Sequence, residues 1–218
     1  MFSMHEGMQC ALFGSGDPSF DAGLRGIRRI SLSEGAWLEH QPNWLDGHQR
    51  VFDELAQTID WQRYRRMMYE REVEVPRLLA RAPTQGRLAE LLRAVASALA
   101  ARYGRPFPHI SLAHYRDGND SVAFHGDKLG RLVDDAVVAT LSVGEPRRFL
   151  IKPNHEAAGA LPSGGPSSSS TSLSFDLGWG DLFVMGGTCQ RTWQHAIPKR
   201  AHAAPRISIM FRPSIPES

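Results

Sequence analysis

The sequence predicts an α+β chain with a double-stranded β-helix (jelly roll) core braced by N-terminal helices. Three observations lead there. Two apolar stripes of helical period precede residue 108, eight short strand-like segments follow from Ile110, and turn markers separate those segments. Eight short strands in about a hundred residues suggest a jelly roll. At 218 residues the chain can bury a real core. The expectation is a single domain over 1–218, with 1–108 an N-terminal extension and 109–213 the jelly-roll core.

The elements follow in order. HQRVFDELAQTI (48–59) sets Val51, Phe52, Leu55 and Ile59 on one helical face. GRLAELLRAVASALAARY (86–103) does the same with Leu88, Leu91, Leu92, Val95 and Leu99. Thr84 is the expected N-cap of that helix, and Gly104 with Pro106 marks its end. Between the helices, WQRYRRMMYEREVEVPRLLAR (61–81) interleaves charge and aromatics. Then come strands in ISLAHY, SVAFHGD, AVVATLSV, RRFLIKP, SLSFDLGW, DLFVMGG, TWQHAI and RISIMFRP. Asp117-Gly118-Asn119, Gly144-Glu145-Pro146, Gly178-Trp179-Gly180 and Gly186-Gly187 supply turns between them. NHEAAGALPSGGPSSSSTS (154–172) reads as a loop within the core, because strands continue on both sides.

Composition narrows the function classes. A net charge of +2 does not by itself point to nucleic acid. Cys10 and Cys189 are too few for a disulfide framework or a Cys-rich zinc site. The opening MFSMHEGMQCALFGSGDPSF lacks a basic region followed by an apolar run, and no stretch approaches the roughly 18 apolar residues of a membrane span. A reduced, cytoplasmic monomer without a leader is expected.

AFHGDK (123–128) poses the chemical question. Phe124 and the run Ser121-Val122-Ala123 read as a buried strand, on which residues two apart share a face. His125 and Asp127 then project together, and either bond each other or hold something between them. TWQHAIP offers His195 on another strand. Two histidines and one carboxylate form the facial set that holds non-haem Fe(II) with open positions. His-x-Asp alone is a common pattern, and histidines also serve as ordinary core or surface residues. PRISIMFRP adds Arg206 and Arg212, six apart and so on one strand face. Buried guanidinium groups need anionic partners, and their planar fork grips a carboxylate such as that of a dicarboxylate co-substrate. The other reading is an edge strand with two solvated arginines.

Together, His-x-Asp, a late His and an Arg-x5-Arg strand resemble the Fe(II)/2-oxoglutarate dioxygenases, specifically the AlkB family of nucleic-acid dealkylases. LAHYRDGNDSVAFHGDK is similar to the family's approach to its first two iron ligands. DLFVMGGTCQRTWQHAIPK resembles the approach to the third, and APRISIMFRP the closing arginine strand. The resemblance runs from Ser111 to Pro213.

It implies Fe(II) held by His125, Asp127 and His195. It implies 2-oxoglutarate held by Arg206 with Tyr115, with Ser208 lining the same pocket and Arg212 near Asp127. Ala113 and Ser208 depart from the family, which commonly has Asn at both places. The implied activity is oxidative dealkylation of N-alkylated bases in DNA or RNA with O2, releasing formaldehyde and succinate.

The resemblance also implies a substrate-recognition lid over 61–81. Tyr69 would stack on the extruded base, backed by Trp61 and Met68. Arg65, Arg66, Arg71 and Arg77 would meet phosphates. Lys128, Arg147, Arg148, Lys199 and Arg200 would add to these, or remain solvated loop charges. Leu129 stands where many relatives carry an acid that meets the base edge, so a cationic base loses a partner unless Asp134 or Asp135 reaches in. The rivals are a 2-oxoglutarate-dependent hydroxylase of a small molecule or protein side chain, and a jelly-roll binding protein.

Overall fold

A computed structural model describes residues 17–68, 71–127, 133, 135–154 and 172–214, with the backbone alone at 66–68 and 71–73. All eight expected core segments form strands: β8 (His109–Tyr115), β9 (Val122–His125), β10 (Val138–Gly144), β11 (Arg147–Pro153), β12 (Leu173–Leu177), β13 (Asp181–Gly186), β14 (Trp193–Ile197) and β15 (Arg206–Arg212). They pair antiparallel in a nested series, β8 with β15, β9 with β14, β10 with β13 and β11 with β12. That nesting is the jelly roll, because each inner pair folds over within the outer one.

The N-terminal half also adds strands. It contributes β1 (Ser19–Phe20), β2 (Arg28–Ser31), β3 (Trp37–Gln41), β4 (Leu45–Asp46), β5 (Arg65–Met68), β6 (Arg71–Glu74) and β7 (Leu78–Arg81). The larger sheet runs β2-β3-β13-β10-β15-β8-β7, so both its edges come from residues before 108. The smaller sheet runs β12-β11-β14-β9, while β5 and β6 form a separate hairpin.

Side-chain alternation sorts two cores. On β15, Ile207, Ile209 and Phe211 join the cluster under the helices. Arg206, Ser208, Met210 and Arg212 face the other way, between the sheets. Strand β10 is buried along its whole length, because it is central and covered on both faces. Helix α1 (His48–Thr58) buries Val51 and Leu55, and helix α2 (Gly86–Tyr103) buries Leu88, Leu92, Val95 and Leu99. Gln85, not Thr84, is the N-cap of α2, and it makes no side-chain cap bond. The Thr84 carbonyl instead accepts from Arg93. Gly104 ends the helix at φ +66, where any Cβ would be strained.

One buried carboxylate ties helix to sheet. Glu39 on β3 accepts from Arg102 at 2.9 Å, Arg29 at 2.9 Å and the Tyr103 hydroxyl at 2.5 Å. Burial alone would raise its pKa, but these three donors hold it below the ordinary value. Among the described residues, no helix is long and apolar enough to cross a membrane.

Candidate active site

Between the two sheets lies a cavity of about 240 Å³. His125, Asp127, His195, Tyr115, Ser208 and Arg212 all line it. His125 and His195 are register partners across β9 and β14, with ring centroids 4.4 Å apart. Nδ1 of His125 lies 2.8 Å from the Ala123 carbonyl, which favours the tautomer protonated there and leaves Nε2 with its lone pair. The His195 ring stacks on Phe149 at 5.4 Å. The walls of the cavity disfavour both imidazolium forms, His195 most strongly, so both rings are neutral electron-pair donors.

Asp127 is placed differently from the expectation. Strand β9 ends at His125, so Asp127 lies beyond it and alternation does not aim its carboxylate. Its backbone N–H donates to Gln190 Oε1 at 3.0 Å, from the short helix α3 (Cys189–Thr192). Gly126 lets the chain pass close to α3, since a Cβ there would sit 2.5 Å from the Gln190 carbonyl oxygen. Phe124 is not buried either: β9 is an edge strand, and the ring is exposed with Lys152 Nζ 4.2 Å over it.

Arg212 Nε donates to Asp127 Oδ2 at 2.5 Å, and its NH1 donates to Ser111 Oγ at 2.7 Å. Arg206 is fully buried and is not among the residues that line the cavity. Its NH2 donates to Ser142 Oγ at 2.6 Å, while Nε and NH1 have no partner among the described residues. Burial pushes this guanidinium down to about 10, still charged at neutral pH. Tyr115 stands beside it, 5.7 Å from ring centroid to guanidinium. Ala113 and Ser208 are direct cross-strand partners on β8 and β15, so the two departures from the family pattern meet at one spot on the cavity wall.

The donor set fits a ferrous ion: two neutral imidazoles and one carboxylate face a shared cavity. Among the described residues, no three such side chains stand close enough together, as placed, to hold an ion, and the Asp127 carboxylate rests against Arg212. The two unpartnered nitrogens of Arg206 fit a co-substrate carboxylate, because a buried charged donor without an acceptor is costly.

Other expected contacts fall elsewhere. Trp61 packs 5.1 Å from His114, and its Nε1 donates to the Leu55 carbonyl at 3.2 Å. It therefore packs, half-buried, against the core under the helices. Arg65 is exposed on the hairpin, opposite Glu74. The side chains of Arg66, Met68 and Arg71, and the whole of Tyr69, Lys128, Leu129 and Asp134, lie outside the described residues, as does 155–171 of the Ser-rich loop. Arg147 is no solvated loop charge. It is buried, donating to the carbonyls of Asp117, Asp120 and Pro198. Arg148 stays exposed, 3.7 Å from Asp176.

Sequence reasoning missed Gln190, because nothing near it in the chain shows that it meets Asp127. It also gave Arg77 to phosphate, whereas Arg77 lines the cavity.

The model of the 2OG-Fe(II) oxygenase superfamily matches residues 27–212. The chain is 26% identical over 207 residues to human alpha-ketoglutarate-dependent dioxygenase alkB homolog 3, covering 88% of this chain and 68% of that protein. It is 33% identical over 136 residues to the DNA oxidative demethylase ALKBH2 of Arabidopsis thaliana, covering 57% and 42%. Among solved structures it is similar to a prolyl hydroxylase from Trichoplax adhaerens in complex with a hypoxia inducible factor peptide (TM-score 0.51, 12% identity, 87% and 84% covered). It is also similar to a 2OG-Fe(II) family oxidoreductase from Burkholderia pseudomallei (TM-score 0.50, 14% identity, 100% and 95% covered). With the family pattern running from residue 27 to 212 across this nested pairing of strands, the chain belongs to the 2OG-Fe(II) oxygenase superfamily, and its similarity to the AlkB homologs supports the AlkB family within it.

Proposed function

We propose that the protein removes alkyl groups oxidatively from N-alkylated nucleobases in DNA or RNA, using the Fe(II) and 2-oxoglutarate of its family. The observation that carries the chemistry is the cross-strand pair His125 and His195 in one cavity with Asp127, together with a buried Arg206 whose Nε and NH1 lack partners among the described residues. When bound, the iron and 2-oxoglutarate supply oxidation of an alkyl C–H bond by O2, with succinate and carbon dioxide as by-products.

In this reading His125, Asp127 and His195 are the metal ligands. Each imidazole offers a lone pair, because its environment keeps it neutral. Arg206 takes the distal carboxylate of 2-oxoglutarate. Tyr115 and Ser208 line its path. Arg212 orients Asp127 by its hydrogen bond and would lend positive charge beside the co-substrate. Enclosure between two sheets excludes water and holds the substrate's alkyl group at the reacting end.

The β5–β6 hairpin is proposed as the lid. Supporting this, the chain leaving it runs through Arg77 and Leu79, which line the cavity. Tyr69, which lies outside the described residues, remains the proposed stacking residue. Nucleic acid as substrate is supported by the relatives named as DNA oxidative demethylases and AlkB homologs. A buried free thiol at Cys189 suits the proposed cytoplasmic setting.

The test is formaldehyde release from a panel of methylated single- and double-stranded oligonucleotides, with Fe(II) and 2-oxoglutarate supplied. Release that depends on both is expected. No release from any oligonucleotide, with succinate formed on a peptide or small molecule instead, overturns the reading.

A further inference from the structure

We propose that Arg77 makes this site select neutral, carbonyl-bearing lesions, such as 3-methylthymine, over cationic ones such as 3-methylcytosine. The inference rests on the dealkylase reading and names its substrate class. It starts from the charges around the cavity. Among the described lining residues, Arg77 and Arg212 are cations and Asp127 is the one carboxylate. Arg212 Nε donates to Asp127 at 2.5 Å, and that acid stands among the proposed metal ligands.

Arg77 has no such compensation among the described residues. Its NH1 donates to the Ser121 carbonyl at 3.2 Å, a neutral partner, and no carboxylate pairs with it among the described residues. Its side chain nevertheless lines the same cavity as His125, His195 and Tyr115.

Among the described residues after Asp127, Asp135 is held by Arg105, whose NH2 lies 3.3 Å from its Oδ2, and it does not line the cavity.

A base methylated at N3 of cytosine carries a full positive charge. Placed against an uncompensated guanidinium in a partly desolvated cavity, it is repelled. In 3-methylthymine the methyl-bearing nitrogen is flanked by two carbonyls and the ring is neutral. Either oxygen can accept from the free N–H groups of the guanidinium fork.

The experiment compares single-stranded oligonucleotides carrying 3-methylthymine or 3-methylcytosine, by kcat/KM for formaldehyde release. Equilibrium binding of the same strands to metal-free protein is followed by fluorescence anisotropy. Wild type is expected to favour 3-methylthymine in both measurements. Arg77→Gln should shift the ratio toward 3-methylcytosine by roughly ten- to a hundredfold, the size of one base-edge contact. Arg77→Glu should invert the preference, and Arg77→Lys should keep its direction. A wild-type preference for 3-methylcytosine, or a ratio unmoved in Arg77→Gln, overturns the inference while leaving the dealkylase reading intact. Failure of every oligonucleotide to turn over overturns both.

Discussion

The backbone N–H of Asp127 donates to the side chain of Gln190 at 3.0 Å, tying the segment after β9 to helix α3. The strand has already ended, so this bond and the Arg212 contact orient the carboxylate. Gln190→Leu removes the acceptor and frees the segment. The expected result is a Mn2+ affinity weaker by roughly 10–100-fold, the usual effect of losing a residue that positions a metal ligand. Gln190→Glu keeps an oxygen there and should retain most of the affinity. Equal Mn2+ binding in wild type and the Leu variant would remove Gln190 from this role.

Asp127→Ala, His125→Ala and His195→Ala should each abolish turnover and leave the fold intact. These side chains face a cavity, so their loss leaves no hole in the packed core. Thermal melting checks the fold, and succinate formation checks turnover. Wild-type turnover in any one of the three variants would sink the triad.

Arg206→Lys should raise KM for 2-oxoglutarate by roughly ten- to a hundredfold, since a point charge replaces a fork and charge-assisted bonds are lost. Ser208→Ala should raise it less, by roughly two- to tenfold. With Ala113 opposite, the Ser208 hydroxyl is the side-chain donor left at that cross-strand pair. Initial rates at varied 2-oxoglutarate decide it. An unchanged KM in the Arg206 variant would place the dicarboxylate elsewhere.

Glu39 sets part of the acid stability. Its folded-state pKa lies below the ordinary value of 4.5, because the bonds from Arg102, Tyr103 and Arg29 outweigh the cost of burial. Its contribution is therefore fully present above pH 4.5 and is lost as pH falls through the lower folded value. Glu39→Gln should cost roughly 1.5–3 kcal/mol at neutral pH, screening of the partly exposed arginines favouring the low end. It should also flatten the stability profile below pH 4.5. Urea midpoints between pH 3 and 7 measure both; parallel profiles for wild type and variant would show that Glu39 is not the titrating group.

The sequence by itself determined the eight core strands, both long helices and the family. Strand and helix periods are local: whether Ile207, Ile209 and Phe211 alternate with Arg206, Ser208 and Arg212 is decided by neighbours in the chain. The motif residues could be read one by one for the same reason. Only the tertiary structure decided what those residues touch. It made β9 an edge strand, exposing Phe124 and ending before Asp127. It buried Arg147 against three carbonyls, moved Trp61 under the helices and turned Arg77 into the cavity. It also set Glu39 against Arg102, 63 residues away along the chain. Such contacts depend on which strands pair and on how loops close over them. Local pattern does not encode that, because the energy of a buried charge or ring depends on partners that only the assembled sheets bring near.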